Sequence, residues 1–286
     1  MFCLNGEKIA LVTETSCDLS QEQLDRYDIR LVSLRVVCTQ GEFRDRTEID
    51  NDTLFDLLKS ELPKSSLPLP QDVSDLYQQL KSEGCTKILH ISMSSGLSGT
   101  YNMVRMVAKD FEDELDIQVV DSRTLSTGLG LLVLEAAEVL ERTGSVEEAV
   151  RRVALVRETQ LGCFVIRTLE FLRKGGRIGL VEGVVGTILQ VKPVIFVNSD
   201  GVYQTLAKAR GYASAMDTMV REVSTRFGQK KIRLSVVHGQ AAEEAQKLMN
   251  KLKGILNIQE SFISSVSPVL AIHTGPGLVG VIAQEL

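Results

Sequence analysis

The chain has 286 residues, of which 44% are hydrophobic and 24% charged, an ordinary globular composition that excludes a disordered or fibrous polymer. A net charge of -5, no Trp and 5% aromatic residues argue against a nucleic-acid partner, which needs a basic footprint and stacking platforms. The length exceeds what a single core comfortably fills, so two domains of about 130 to 160 residues are expected.

The opening MFCLNGEK lacks the basic segment and apolar core of a secretory signal. KIALVT (8–13) is a β-branched strand pattern, followed by a helix near 20–27 and a second strand, IRLVSLRVV (29–37), which is βαβ rhythm. KILHIS (87–92) is a strand and SGTYNMVRMVAKDFEDEL a helix, with Tyr101, Val104, Val107, Ala108, Phe111 and Leu115 at the spacing of a core-facing stripe. IQVVD (117–121) and helices near 125–142 and 145–157 complete a first unit, residues 1–157, expected to be a Rossmann-like, mostly parallel α/β domain. The long apolar stretch GLGLLVLEAAEVL carries Glu135 and Glu138 and is shorter than the roughly 20 residues of a membrane span.

From residue 158 the pattern changes, and a second, smaller α/β domain, 158–286, is expected. It holds the strand LGCFVIR, the basic turn RKGGRIG, the small-residue segment VEGVVGTILQ and a hairpin around Asp200 and Gly201. Helices near 211–227 and 241–253 flank the strand IRLSVVHG, and AIHT and VGVIAQ are expected as terminal strands. With neither repeat nor linker, the two units should pack closely around a cleft. Cys3, Cys17, Cys38, Cys85 and Cys163 are odd in number and never spaced C-x-x-C, so no disulfide framework and no metal site is expected, only reduced thiols in the cytoplasm.

The loop SMSSGLSGTYN joins a strand to a helix. Loops at the carboxyl ends of parallel strands face the crevice of an open sheet, and a helix N-terminus offers unpaired N–H groups to an anion. The plain alternative is that Ser98 caps the helix while the glycines turn the chain. VTETSCDLSQEQ contains a capping box from Ser20 to Gln23, and PKSSLPLPQD is a Pro-bounded extended segment with Ser65 and Ser66 facing the cleft. RKGGRIG groups Arg173, Lys174 and Arg177, a solvated turn by default. His90 is expected in the core, His238 at a strand end, and His273 at a strand end beside Thr274, presenting a titratable nitrogen to the cleft. GPGLVG (275–280) matches G-x-G-x-x-G, but only six residues follow it, so no helix receives a pyrophosphate and no nucleotide cofactor is expected. A nucleophile elbow is absent too.

Together VTETSCDL, PKSSLP, SSGLSGTYN, VVDS with LEFLRKGGRIG, and HTGPGLVG resemble the DegV family, in this order and over nearly the whole chain. The resemblance implies a Rossmann-like domain, a smaller α/β domain and a long-chain fatty acid buried between them. It further implies the binding (FakB-type) subunit of bacterial fatty acid kinase, presenting the acyl carboxylate to a separate ATP-binding kinase subunit, not an enzyme by itself, and touching a membrane at most transiently. By the family's motifs, Ser65, Ser94, Ser95, His273 and Thr274 would hold the carboxylate, and Arg173 would lie near the head group or on the kinase-facing surface. The family's V-T-D-S-T is here Val12, Thr13, Glu14, Thr15, Ser16. Its T-S-Q-P-S is Ser65, Ser66, Leu67, Pro68, Leu69, so Leu67 and Leu69 replace polar residues. For the tunnel wall, VEGVVGTILQ is the candidate, with Gly183 and Gly186 leaving space. Two rival readings stand beside this one: a serine hydrolase with a Ser95, Asp121, His273 triad, in the chain order of α/β-hydrolases, and a regulatory protein without ligand.

Overall fold

The computed structural model describes residues 2–4, 7–181 and 191–286. Strand β2 (Glu7–Glu14) organises the first sheet. Its first half pairs antiparallel with β1 (Phe2–Leu4) and its second half parallel with β3 (Arg30–Val32), while the other edge takes β7 (Lys87–Ser92) and then β8 (Asp116–Asp121), both parallel. Four strands therefore run parallel, as an α/β fold requires. Because strand side chains alternate between faces, Ile9, Leu11, Leu89 and Ile91 enter one core while Ala10, Val12 and Ile88 enter another. The second of these is covered by α3 (Pro70–Ser82) and α4 (Thr100–Lys109), through Val73, Tyr77, Leu80, Val104 and Val107.

The opposite face is covered by α5 (Thr127–Thr143) and α6 (Val146–Thr159). Every residue of α5 from Thr127 to Ala137 is buried, the mark of a helix enclosed on all sides. One side lies on the first sheet, where a Cβ at Gly130 would come within 2.5 Å of the Cys17 carbonyl. The other meets the second sheet, where Ser235 Oγ donates to Thr127 Oγ1 at 2.6 Å and buried Arg233 and Gln284 both bond Glu135. That sheet has six strands in the order β11 (Tyr203–Arg210), β10 (Val191–Val197), β9 (Leu161–Val165), β14 (Leu278–Glu285), β12 (Ile232–Gly239) and β13 (Ile258–Ser265). Its pairings are antiparallel except for β12 with β13. Helices α8 (Tyr212–Phe227) and α9 (Ala242–Lys253) cover its far face.

A small antiparallel sheet, β5 (Gly41–Arg44), β4 (Arg35–Cys38) and β6 (Lys64–Ser66), stands at the end of the first sheet. Two expectations fail here. The single strand 29–37 is two strands in different sheets, because Ser33 and Leu34 turn the chain: the Leu34 amide donates to Thr15 Oγ1 at 3.3 Å and its carbonyl accepts from the Asp45 amide at 2.9 Å. AIHT is the end of helix α10 (Pro268–Thr274), not a strand. Pro268 opens that helix, where its missing N–H costs nothing, and two aspartates distant in sequence receive the first amides: Ser267 N to Asp18 Oδ1 at 2.8 Å and Val269 N to Asp45 Oδ1 at 3.0 Å. α10 packs against β4, β6, α2 (Asn51–Leu57) and α7 (Glu170–Lys174). The expected boundary at 157/158 falls in the last turn of α6.

Candidate functional site

Helix α10 is short, but its last turn is the centre of the site. His273 points from it toward β6, where its Nε2 lies 2.7 Å from Ser65 Oγ. The imidazole is buried, and its Nδ1 has no hydrogen-bond partner among the described residues. Burial first, and then the positive charge of Arg177, push its pKa down to about 4, so the ring is neutral at physiological pH. Two glycines allow this seating. A Cβ at Gly175 would come within 2.3 Å of His273 Nδ1, and Gly275, at φ +67°, would drive a Cβ to 2.3 Å from the Phe171 ring. The glycine-rich turn thus serves a close approach of α7 to α10.

Ser65, Ser66, Ser98, Arg177 and His273 contribute polar side chains to a cavity of about 190 Å³, whose remaining wall includes Leu67, Met93, Leu97, Leu125, Tyr203 and Leu270. Arg177 joins two loops there, donating from Nη1 to the Gly175 carbonyl at 2.8 Å and from Nε to the Leu97 carbonyl at 3.3 Å. Ser98 accepts the Thr100 amide at 3.3 Å from one residue ahead of the cap position of α4, which is Gly99, and it lines the cavity as well. Beneath the loop, Glu14 Oε2 accepts the Met93 amide at 3.0 Å, and Glu14 Oε1 lies 3.3 Å from Nε2 of fully buried His90. Glu14 thus anchors Met93, whose side chain lines the cavity.

A second cavity, about 50 Å³, lies behind the first. It is apolar, lined by Phe164, Val197, Val237, Val266, Leu278 and Ile282 among others, and Leu125, Tyr203 and Leu270 belong to both walls. Thr274 faces this second cavity and bonds its own helix, Oγ1 to the Leu270 carbonyl at 3.4 Å. The polar chamber and the apolar one thus share the wall formed by Leu125, Tyr203 and Leu270.

Not every expected residue reaches the chamber. Ser94 is buried and donates to the Gly201 carbonyl at 2.7 Å, clamping the loop to the β10–β11 turn. Ser95 is exposed and donates to Asp121 Oδ2 at 2.6 Å, with its amide on Oδ1 at 3.2 Å. Neither lines either cavity. Ser95 and Asp121 bond each other directly while His273 bonds Ser65, so the Ser95, Asp121, His273 triad is not assembled. Arg173 is exposed on α7, outside both cavities. Its neighbour in the same motif, Arg177, is the arginine of the chamber. The segment VEGVVGTILQ with Gly183 and Gly186 lies, but for Val181, outside the described residues. Tyr203, which begins a strand in the second half, carries no sequence signal at all. What the chamber can do is present hydroxyls, a neutral imidazole and a guanidinium to one oxyanion. Ser65 and His273 form a nucleophile–base pair only in outline: among the described residues no acid orients Nδ1, and a ring with a pKa of about 4 is a weak base.

Among the described residues no helix is long and apolar enough to cross a membrane. The family model described as uncharacterised protein, DegV family, matches residues 8–286. A DegV domain-containing protein of Clostridium acetobutylicum is 36% identical over 280 residues, covering 98% of this chain and 99% of that protein. Two solved structures are similar throughout. A DegV family protein from Thermus thermophilus, described by its fatty acid binding, superposes with a TM-score of 0.90 at 31% identity over 98% of this chain and 100% of its own. DegV of Bacillus subtilis, described as a fatty acid binding protein, gives a TM-score of 0.89 at 25% identity over 98% and 100%.

Proposed function

The chain belongs to the DegV family, and from that premise we propose that it binds a long-chain fatty acid between its two halves, residues 1–157 and 158–286, and presents the carboxylate to a separate ATP-dependent kinase in the cytoplasm. The observation that carries the reading is the Ser65–His273 pair, at 2.7 Å, in a polar chamber that shares Leu125, Tyr203 and Leu270 with an apolar one. Burying a methylene contributes about 0.8 kcal/mol, so some 14 methylenes supply roughly 11 kcal/mol before ordering costs are subtracted. A carboxylate buried without partners would cost several kcal/mol. The chamber's polar groups therefore set the direction in which the acid lies.

In this reading Ser65 and His273 hold the carboxylate, with Ser98 and Arg177 beside them. Thr274 borders the acyl chain. Ser94 and Ser95 shape the loop behind the head group, and exposed Arg173 faces the kinase. Division of labour with a kinase explains the absence of any phosphate-binding loop in the sequence. Organic extraction of purified protein followed by mass spectrometry tests the first half, with one acyl chain per protein expected. Well-folded protein that yields none would favour the regulatory reading. Acyl phosphate formation by a cognate kinase, dependent on this protein, tests the second half.

A further inference from the structure

A third cleft, of about 670 Å³, lies between β8, α6, the start of β9, β10 and the end of α8, sharing Val197 with the apolar cavity and no residue with the polar one. Three arginines from three elements line it: Arg123 after β8, Arg157 on α6 and Arg226 on α8. All three bond backbone carbonyls. Arg157 donates from Nε to Ser122 at 3.1 Å and from Nη2 to Arg123 and Asn198, both at 2.8 Å. Arg123 donates to the Ser199 carbonyl and Arg226 to the Thr159 carbonyl, each at 3.4 Å. Among the described residues no carboxylate forms an ion pair with any of them. In a chain of net charge -5, three such cations in one cleft are out of character.

Two acids share the lining, Asp121 and Glu158. Asp121 is occupied by the Ser95 hydroxyl and the amides of Ser95 and Arg123, and Glu158 is exposed on α6. Burial, and then the charges of Arg123 and more weakly Arg226, hold the Arg157 guanidinium below the usual arginine range, with Asp121 acting the other way. The same lining carries apolar side chains, Val120, Val150, Val153, Leu161, Phe196 and Val197. Guanidiniums already fixed by carbonyls lose little freedom on meeting a multi-oxygen anion, and planar forks match phosphate oxygens in pairs. Apolar side chains beside them favour an anion that carries a hydrocarbon group.

We propose that the cleft of Arg123, Arg157 and Arg226 is a binding site for a phosphate monoester or diester bearing an apolar group, separate from the chamber around His273. Calorimetric titration of the whole protein with hexyl phosphate tests it, with inorganic phosphate and hexanol as comparisons. Saturable binding of hexyl phosphate is expected, roughly tenfold tighter than inorganic phosphate, and none of hexanol. Arg123→Gln with Arg226→Gln should weaken it by about tenfold or more, and Arg226→Gln alone by less, while Arg157 stays to keep its carbonyl contacts. Unchanged circular dichroism of the variants certifies the fold. Vesicles of equal parts phosphatidylglycerol and phosphatidylcholine form the second arm. Vesicle binding lost in the double variant assigns the phosphate to a lipid headgroup, and hexyl phosphate binding without vesicle binding assigns it to a soluble ester. Absence of binding in both arms overturns the proposal, as does binding that survives intact in the double variant.

Discussion

The two chambers on either side of Leu125, Tyr203 and Leu270 are built by opposite means. The polar one is assembled from four distant segments, β6, the β7–α4 loop, the turn after α7 and the end of α10, and each supplies one or two hydrogen-bonding groups. The apolar one is walled largely by β9, β10, β12 and β14 of a single sheet and presents almost nothing polar. Affinity from apolar contact scales with area and needs no exact placement. Orientation of a carboxylate needs several groups held at hydrogen-bonding distance at once, which accounts for the loops, the glycines and the buried aspartates gathered around the first chamber.

The sharpest way to break this comparison is to shorten the ligand while keeping its head group. Removing six methylenes should cost about 5 kcal/mol, more than three orders of magnitude in affinity, if the apolar chamber receives the chain. Displacement titrations across a series of saturated acids read this directly, and an affinity indifferent to length would move the ligand out of the second chamber. Next in size are the head-group substitutions. Ser65→Ala and His273→Ala each remove a hydrogen bond to a charged group, worth about 1.5 to 3 kcal/mol, so each should weaken binding by roughly 10- to 100-fold and reduce acyl phosphate yield further, since transfer depends on alignment. Equal occupancy and equal yield in both variants would show that the carboxylate lies elsewhere.

The sheet behind the apolar chamber was largely legible in the sequence, because LGCFVIR, the hairpin around Asp200 and IRLSVVHG carry their own β-branched periodicity, but the segment read as the tunnel wall was VEGVVGTILQ, which but for Val181 lies outside the described residues. The polar chamber was legible only in part. Ser65 and His273 were named through the family's motifs, but the helix under His273 was not foreseen: its N-terminal amides are received by Asp18 and Asp45, more than 220 residues away in sequence. Arg173 was named through the family's motif, for the head group or the kinase-facing surface, whereas nothing in RKGGRIG by itself revealed that Arg177 lines the chamber. Ser94 and Ser95 match a motif whose hydroxyls turn out to bond Gly201 and Asp121. β4, β5 and β6, of four residues or fewer, are too short to impose a period.

The polar side also carries its own dependence on pH, of smaller effect. At the start of α10, burial pushes Asp18 up to about 7 and Asp45 up to about 6, opposed in part by hydrogen bonds and by Arg46. Between pH 4 and these values the folded chain holds protons the unfolded chain has released, so their contribution to stability falls as pH rises through that window. At the other end of the helix, His273 is depressed to about 4, and its contribution is lost as pH falls from about 6.5 to 4. Asp18→Asn, which mimics the protonated acid, should therefore compare better with the parent at pH 8 than at pH 5 in urea unfolding. An equal difference at the two pH values would mean that Asp18 is ionised throughout.

The smallest expected effect is at Ser95, and it separates shape from contact within one loop. Its hydroxyl is exposed and spent on Asp121 at 2.6 Å, whose carboxylate also receives the amides of Ser95 and Arg123. Losing one hydrogen bond at an exposed position should cost stability less than about 1 kcal/mol, because water replaces the partner and the two amides still hold Asp121. Ser95→Ala should then retain fatty acid within about twofold of the parent, against the roughly 10- to 100-fold expected for Ser65→Ala. Esterase activity should be absent in both, since Ser95 meets no histidine and His273 no acid. Side-by-side displacement titrations of the two variants decide the matter. If Ser95→Ala loses the ligand as strongly as Ser65→Ala, the β7–α4 loop must turn inward on loading and bring Ser95 to the carboxylate, and the polar chamber would then be completed by its ligand instead of standing ready for it.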